Sequence, residues 1–138
     1  MYLIDTNVVS ELRKIDTGRA DPRVRMWGKK LRPESAFLSV ITILELEQGI
    51  LLMERRDPRQ GALLRAWLKN QILPEFAGRL LSIDAQVATR CAALHVPDPM
   101  DDRDSLIAAT ALVLGMTVVT RNVSHFASSG VATLNPWQ

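Results

Sequence analysis

The chain has 138 residues, 47% of them hydrophobic and 23% charged, with a net charge of +2. That apolar content suffices for one domain with one core and excludes general disorder, while the small net charge excludes a polycation. The single cysteine, Cys91, excludes an internal disulfide and a zinc cluster built from this chain's thiols.

Cys91 lies in the Ala-rich run 87–94 and reads as a buried, inert thiol. One unpaired cysteine fits a reducing cytoplasm. No basic stretch precedes the first apolar residues, and Asp5 interrupts them, so no signal peptide is expected. The longest apolar stretch, 106–119, is short for a membrane span and contains Thr110, Gly115 and Thr117. The expectation is a soluble cytoplasmic protein with no membrane partner.

In chain order, Met1–Ile4 reads as a short buried strand. Asn7–Lys14 reads as a helix capped by Thr6 or Asn7. Asp16-Thr17-Gly18 is a turn, and Pro22 opens a helix to about Lys30 that Pro33 stops. Ala36–Ser39 is a second strand, and Ser39 caps a helix from Val40 to about Arg55. Another helix runs from Arg59 to about Ile72 and is expected to close at Pro74. Arg79–Ile83 is a third strand, followed by a helix capped by Asp84 that reaches Leu94 or His95. A loop with two prolines leads to a helix from about Asp104 to Leu114, with Gly115 as its C-cap. Thr117–Thr120 is a fourth strand, and Val131–Leu134 a fifth at the sheet edge. Strands alternating with helices call for an α/β fold, a mostly parallel sheet of four to five strands covered on both faces. No internal repeat or low-complexity tract divides residues 1–138, which read as one domain.

Right-handed crossovers place the carboxyl ends of parallel strands on one rim, where such sheets bind ligands. Asp5 ends the first strand there, and Thr120-Arg121-Asn122 ends the fourth. Asp104 shares a helix face with Ile107, Ala108 and Ala111, so it looks inward, although an acid at a helix start also complements the macrodipole. Glu45 sits mid-helix one turn from Gly49, and Glu47 competes for any role given to it. Thr120 and Asn122 suit turn chemistry, or the orientation of a water or a phosphate oxygen. His125, a lone histidine beside Phe126, reads as structural. Residues 1–32 carry eight basic and four acidic side chains, a +4 excess that suits a phosphate backbone or a solvated helix face.

Four segments, in this order, give the chain a specific resemblance: Leu3–Asn7, Leu38–Ile50, Asp104–Ala111 and Thr117–Phe126. The chain resembles PIN-domain ribonucleases, above all the VapC and FitB toxins of bacterial toxin–antitoxin pairs. The resemblance covers residues 1–126 and implies a three-layer α/β/α fold. It implies that Asp5, Glu45 and Asp104 hold Mg2+ or Mn2+, the Thr-x-x-Glu spacing from Thr42 selecting Glu45 over Glu47. It further implies hydrolysis of RNA by a metal-activated water, with Thr120 and Asn122 orienting water or substrate. Implied partners are a cognate antitoxin, an RNA substrate, a second copy of the chain, and operator DNA reached only through the antitoxin. Trp27, Leu31, Leu52, Met53 and Trp67 are antitoxin contacts or plain core. Many relatives carry a fourth acid where this chain has Asn122 and His125; Asp101 or Asp102 is the substitute at hand.

Three other readings compete. A haloacid-dehalogenase-like phosphatase needs a second Asp where Asn7 stands, and a response-regulator receiver needs a lysine where Arg121 stands. A catalytically weak or inactive module that binds an antitoxin and contributes to operator binding fits the missing fourth acid.

Overall fold

Tyr2–Ile4 (β1) is the middle strand of a five-stranded sheet whose pairs are all parallel. The computed structural model describes all of residues 1–138. After β1 come helix α1 (Thr6–Arg13), α2 (Pro22–Lys30), strand β2 (Ala36–Ser39), α3 (Val40–Arg56) and α4 (Pro58–Trp67). A π-helical turn (Leu68–Ile72) leads into the short α5 (Leu73–Glu75). Strand β3 (Leu80–Leu81), α6 (Ala85–Leu94), α7 (Asp102–Leu114), β4 (Thr117–Val119), α8 (Val123–Phe126) and β5 (Thr133–Leu134) complete the chain.

The strand order is β3-β2-β1-β4-β5. The chain therefore builds outward from β1 in one direction, then returns to add β4 on its other side. In open α/β sheets the crevice above such a reversal, at the strand carboxyl ends, is the ligand site. Here that crevice lies between β1 and β4, which pair Leu3 with Val118 and Ile4 with Val119.

Successive side chains on a strand point to opposite faces, and the core divides accordingly. Ile4, Leu38 and Val119 pack with Val8, Val9, Val24, Leu46 and Ile50 on one face. Leu3 and Val118 pack with Ile107, Ala108, Ala111, Met116 and Phe126 on the other. The alanines of α7 are fully buried at Ala108, Ala109 and Ala111, the first and last of them in this second cluster. The result is the expected α/β/α sandwich, with every strand pair parallel rather than most of them.

Side-chain caps fix the helix starts: Asp21, Ser39, Asp57, Asp84 and Asp101 each accept a backbone N–H from the first turn of the helix that follows. Several boundaries differ from the sequence reading. Asp5, not Thr6 or Asn7, is the N-cap of α1, because the chain turns from strand to helix with no intervening loop. The cap of α7 is Asp101, so that helix begins before Asp104. Pro74 does not close the helix before it: Leu73 N–H reaches back to the Leu68 carbonyl, and this wider turn lets the backbone continue through a residue that has no N–H. Strands β3 and β5 keep only two residues each, as expected of edges with one neighbour. Cys91 is half-buried rather than buried, with its thiol near the Ser105 hydroxyl at 3.3 Å. No helix is long and apolar enough to cross a membrane.

Candidate active site

Asp5 continues the ladder of β1 through its N–H, which bonds the Val119 carbonyl at 2.9 Å, and its own carbonyl accepts from Val8 and Val9 of α1. The residue is thus fixed at both backbone ends, and its side chain is 6% exposed at the floor of the β1–β4 crevice. Three donors hold the carboxylate: the Thr120 hydroxyl to Oδ2 at 2.8 Å, the Thr6 backbone N–H to Oδ1 at 2.9 Å and the Asn7 amide to Oδ2 at 3.3 Å. Burial still pushes the Asp5 carboxyl above its ordinary value, against the opposing pull of these bonds. Neutral donors alone do not offset the cost of a buried charge here.

Thr120 is fully buried just past β4 and acts as a junction: its Oγ1 also accepts the Asn122 backbone N–H at 3.0 Å. Asn7 closes a second link across the crevice, its Oδ1 accepting the Arg121 N–H at 3.2 Å. The two strand ends are thereby tied together through side chains. The Asn122 side chain is exposed at the rim, and its backbone caps α8.

Asp104 sits in the first turn of α7, half-buried, its carboxyl pushed up to about 6. Burial is the main cause, followed by the negative charges of Asp101 and Asp5, with Glu45 adding to them and His125 opposing. Asp104 therefore feels both other acids of the expected trio across the crevice. Glu45 reaches the same space from α3, where the Thr6 hydroxyl donates to its Oε1 at 2.7 Å and Arg103 stands 3.9 Å from its Oε2. Gly49, one turn on, leaves open space beside it. Glu47 faces away and is paired with Arg65 of α4, which also grips Glu54. Thr42 is fully buried and its hydroxyl has no partner, so the threonine that engages Glu45 is Thr6.

The three carboxylates share one crevice but do not close around a point: no set of three His, Cys, Asp or Glu side chains is grouped tightly enough to hold a metal ion. The donor chemistry nonetheless fits a hard divalent cation. Two carboxyls with raised pKa values share the crevice, and the one arginine paired with the trio, Arg103, stands beside Glu45. Of the two suggested substitutes for a fourth acid, Asp101 caps α7 through Oδ1, accepting the Asp104 N–H at 3.0 Å, and its charge acts on Asp104; the Asp102 side chain is 95% exposed beside His95.

The sequence reading missed three contributors. Thr6 and Asn7 were legible only as cap residues, yet they orient Glu45 and Asp5. His125 was read as structural, yet its Nδ1 stands 3.6 Å from Asp104 Oδ2. Beyond the crevice, a polar groove of about 630 Å³ is lined in part by Arg19, Arg23 and Arg121. An apolar groove of about 580 Å³ opens beside α1, with Leu12, Leu31, Trp67, Ile72 and Phe76 in its walls. Of the five apolar residues singled out in the sequence, Trp27, Leu31 and Trp67 pack against the core, Met53 is half-buried and Leu52 is exposed.

Comparison with known proteins agrees with this architecture. The PIN domain family matches residues 2–128. The VapC ribonuclease Y4jK of Sinorhizobium fredii is 34% identical over 143 residues, covering 100% of this chain and 99% of the relative. Toxin FitB of Neisseria gonorrhoeae is 37% identical over 143 residues, covering 99% of each. Among solved structures, that of FitAB bound to an IR36 DNA fragment superposes with a TM-score of 0.89 at 35% identity, covering 100% of this chain and 96% of the other. The chain is thus a PIN-domain protein, closely related to the VapC/FitB-type toxins of toxin–antitoxin systems.

Proposed function

We propose that this chain is a metal-dependent endoribonuclease, the toxin of a toxin–antitoxin pair. The observation that carries the reading is the pair Asp5 and Asp104. Both are held at the switch-point crevice with carboxyls pushed up, and the charge on Asp5 is one of the causes at Asp104. A buried acid, and an acid raised by a neighbouring carboxylate, are costly unless a cation joins them, so such groups mark functional sites. Asp5 and Asp104 would hold Mg2+ or Mn2+ directly, and Glu45 directly or through water. A bound divalent ion supplies polarisation of a phosphoryl oxygen and a water acidified for attack.

The chain's own groups do the rest. Thr120, Thr6 and Asn7 hold Asp5 in one orientation, so its oxygens need no rearrangement on loading. Asn122 at the rim orients water or a phosphate oxygen. Arg121 directly follows Thr120 and opens the groove that also contains Arg19 and Arg23, which suits the RNA backbone leaving the crevice. The relatives' own names support an RNA substrate and an antitoxin partner: one is called a ribonuclease, another a toxin, and a third structure is a FitAB assembly on DNA. The apolar groove beside α1 fits an antitoxin segment, and operator DNA is reached through that antitoxin. Exposed Leu44, Leu51, Leu52 and Leu63 on α3 and α4 provide apolar surface for a second copy of the chain.

The test is cleavage of mixed RNA by purified, antitoxin-free chain with added Mg2+ or Mn2+, beside Asp5→Asn. Cleavage by the native chain, absent with chelator and absent from a folded Asp5→Asn, supports the nuclease. No cleavage at any metal concentration turns the reading to a binding module that acts only through its antitoxin.

A further inference from the structure

Resting on the reading of the crevice as a divalent-metal site, we infer that His125 is a ligand of that metal, so that the site uses a nitrogen donor and prefers a first-row transition ion over Mg2+. The geometry is direct. His125 is carried on α8, the short helix that follows Thr120-Arg121-Asn122, and its Nδ1 lies 3.6 Å from Asp104 Oδ2. Two donors of one cation stand at about this spacing when each bond is a little over 2 Å. The imidazole stands beside the carboxyl of Asp104, which shares the crevice with Asp5. It carries no hydrogen bond to any other group of the chain that would hold it elsewhere, and it is 57% exposed, so it is free to turn the last few tenths of an ångström.

Beyond Asp5, Glu45 and Asp104, the nearby acids are engaged or turned away: Asp101 caps α7 through Oδ1, Asp102 points to solvent beside His95, and Glu47 is paired with Arg65. The chain's other histidine is occupied too: His95 Nε2 bonds the Ser105 hydroxyl at 2.8 Å and its Nδ1 accepts the Met100 N–H at 3.4 Å. His125 is therefore the one imidazole available to the crevice.

The donor set has a chemical consequence. Mg2+ demands oxygen ligands and keeps its waters, whereas imidazole favours the first-row transition ions. A set of Asp5, Asp104 and His125 thus discriminates by ligand type. A position that supplied a further carboxylate would instead add negative charge and favour Mg2+.

The experiment is Mn2+ binding to the full chain, free of any histidine tag, followed by titration calorimetry and by pulsed electron paramagnetic resonance. The expected result is a ¹⁴N modulation on the Mn2+ signal, abolished in His125→Ala and in His125→Asp. The ratio of Mn2+ to Mg2+ affinity should also fall by roughly tenfold or more in His125→Asp. Both variants change an exposed side chain on a surface helix, and circular dichroism confirms that they fold. Mn2+ bound without ¹⁴N coupling, at a crevice where Asp104→Asn abolishes binding, overturns the role of His125 and leaves the nuclease reading standing. Binding of neither Mn2+ nor Mg2+ by the native chain overturns both.

Discussion

The Thr120 hydroxyl donates to Asp5 Oδ2 at 2.8 Å, joining the carboxyl end of one central strand to that of its neighbour. The two residues are 115 positions apart in the chain, and neither is exposed by more than a few per cent. This bond both orients the Asp5 carboxylate and closes the floor of the crevice. Removing it without changing shape isolates its effect. Thr120→Val should keep the fold and weaken metal binding by roughly tenfold to a hundredfold, the usual cost of losing an orienting partner. Calorimetric titration with Mn2+ measures it, and unchanged affinity would assign the hydroxyl to the fold alone.

Asp5→Asn and Asp104→Asn each remove one charge from the crevice at nearly constant size, turning one acceptor oxygen into an N–H donor. RNA cleavage should drop by at least roughly a hundredfold in either variant, as when a principal electrostatic contact of a transition state is lost. The melting temperature of Asp104→Asn should not fall, because the charge removed is one that burial already disfavours. Initial rates on a defined single-stranded RNA, with thermal melts of the same samples, decide it.

The Asp104 carboxyl titrates near 6 in the folded chain against an ordinary 3.8. A raised value means that the folded chain keeps a proton which the unfolded chain has released, so this group lowers stability as pH rises between those two values. In metal-free protein, Asp104→Asn should match the native chain below about pH 4 and exceed it increasingly up to about pH 7. Saturating Mn2+ should reverse the order at neutral pH, since only the native site gains from the ion. Denaturant unfolding at a series of pH values, with and without metal, reads both effects. A constant difference across the series would mean that Asp104 is not buried among like charges.

Gly61 is the point at which α4 crosses α3. A Cβ placed there would stand 2.6 Å from the Glu54 Cα, which is backbone and cannot swing aside. Gly61→Ala should cost about 1–3 kcal/mol through overpacking, despite the better helix propensity of alanine. The urea midpoint should drop while cleavage per folded molecule stays unchanged, because the crossing lies outside the crevice. An unaltered midpoint would show that the hairpin slides apart freely.

Much of this architecture is written in local sequence. The alternation of apolar strands and amphipathic helices, the capping serine and aspartates, and the switch at Asp5 place every major element. What local pattern misreads are the places where distant parts of the chain decide. Asp5 reads as a strand end and proves also to be the cap of α1, because β1 runs straight into the helix. Pro74 reads as a stop, but a π turn absorbs it. Arg79–Ile83 reads as five strand residues and keeps two, since an edge position pairs on one side only. Within the crevice, Glu45 and Glu47 are indistinguishable by periodicity; the partners that separate them, Thr6 and Arg65, come from other helices. His125 looks idle in the sequence because nothing nearby in the chain reveals that α8 sets it opposite the first turn of α7.

The placement of β1 between β2 and β4 has a bearing on how such a chain is made. Translation delivers Asp5 115 residues before Thr120, so a growing polypeptide has one wall of the crevice long before the other. A product that stops short of Thr120 lacks the bond that holds the Asp5 carboxylate in place.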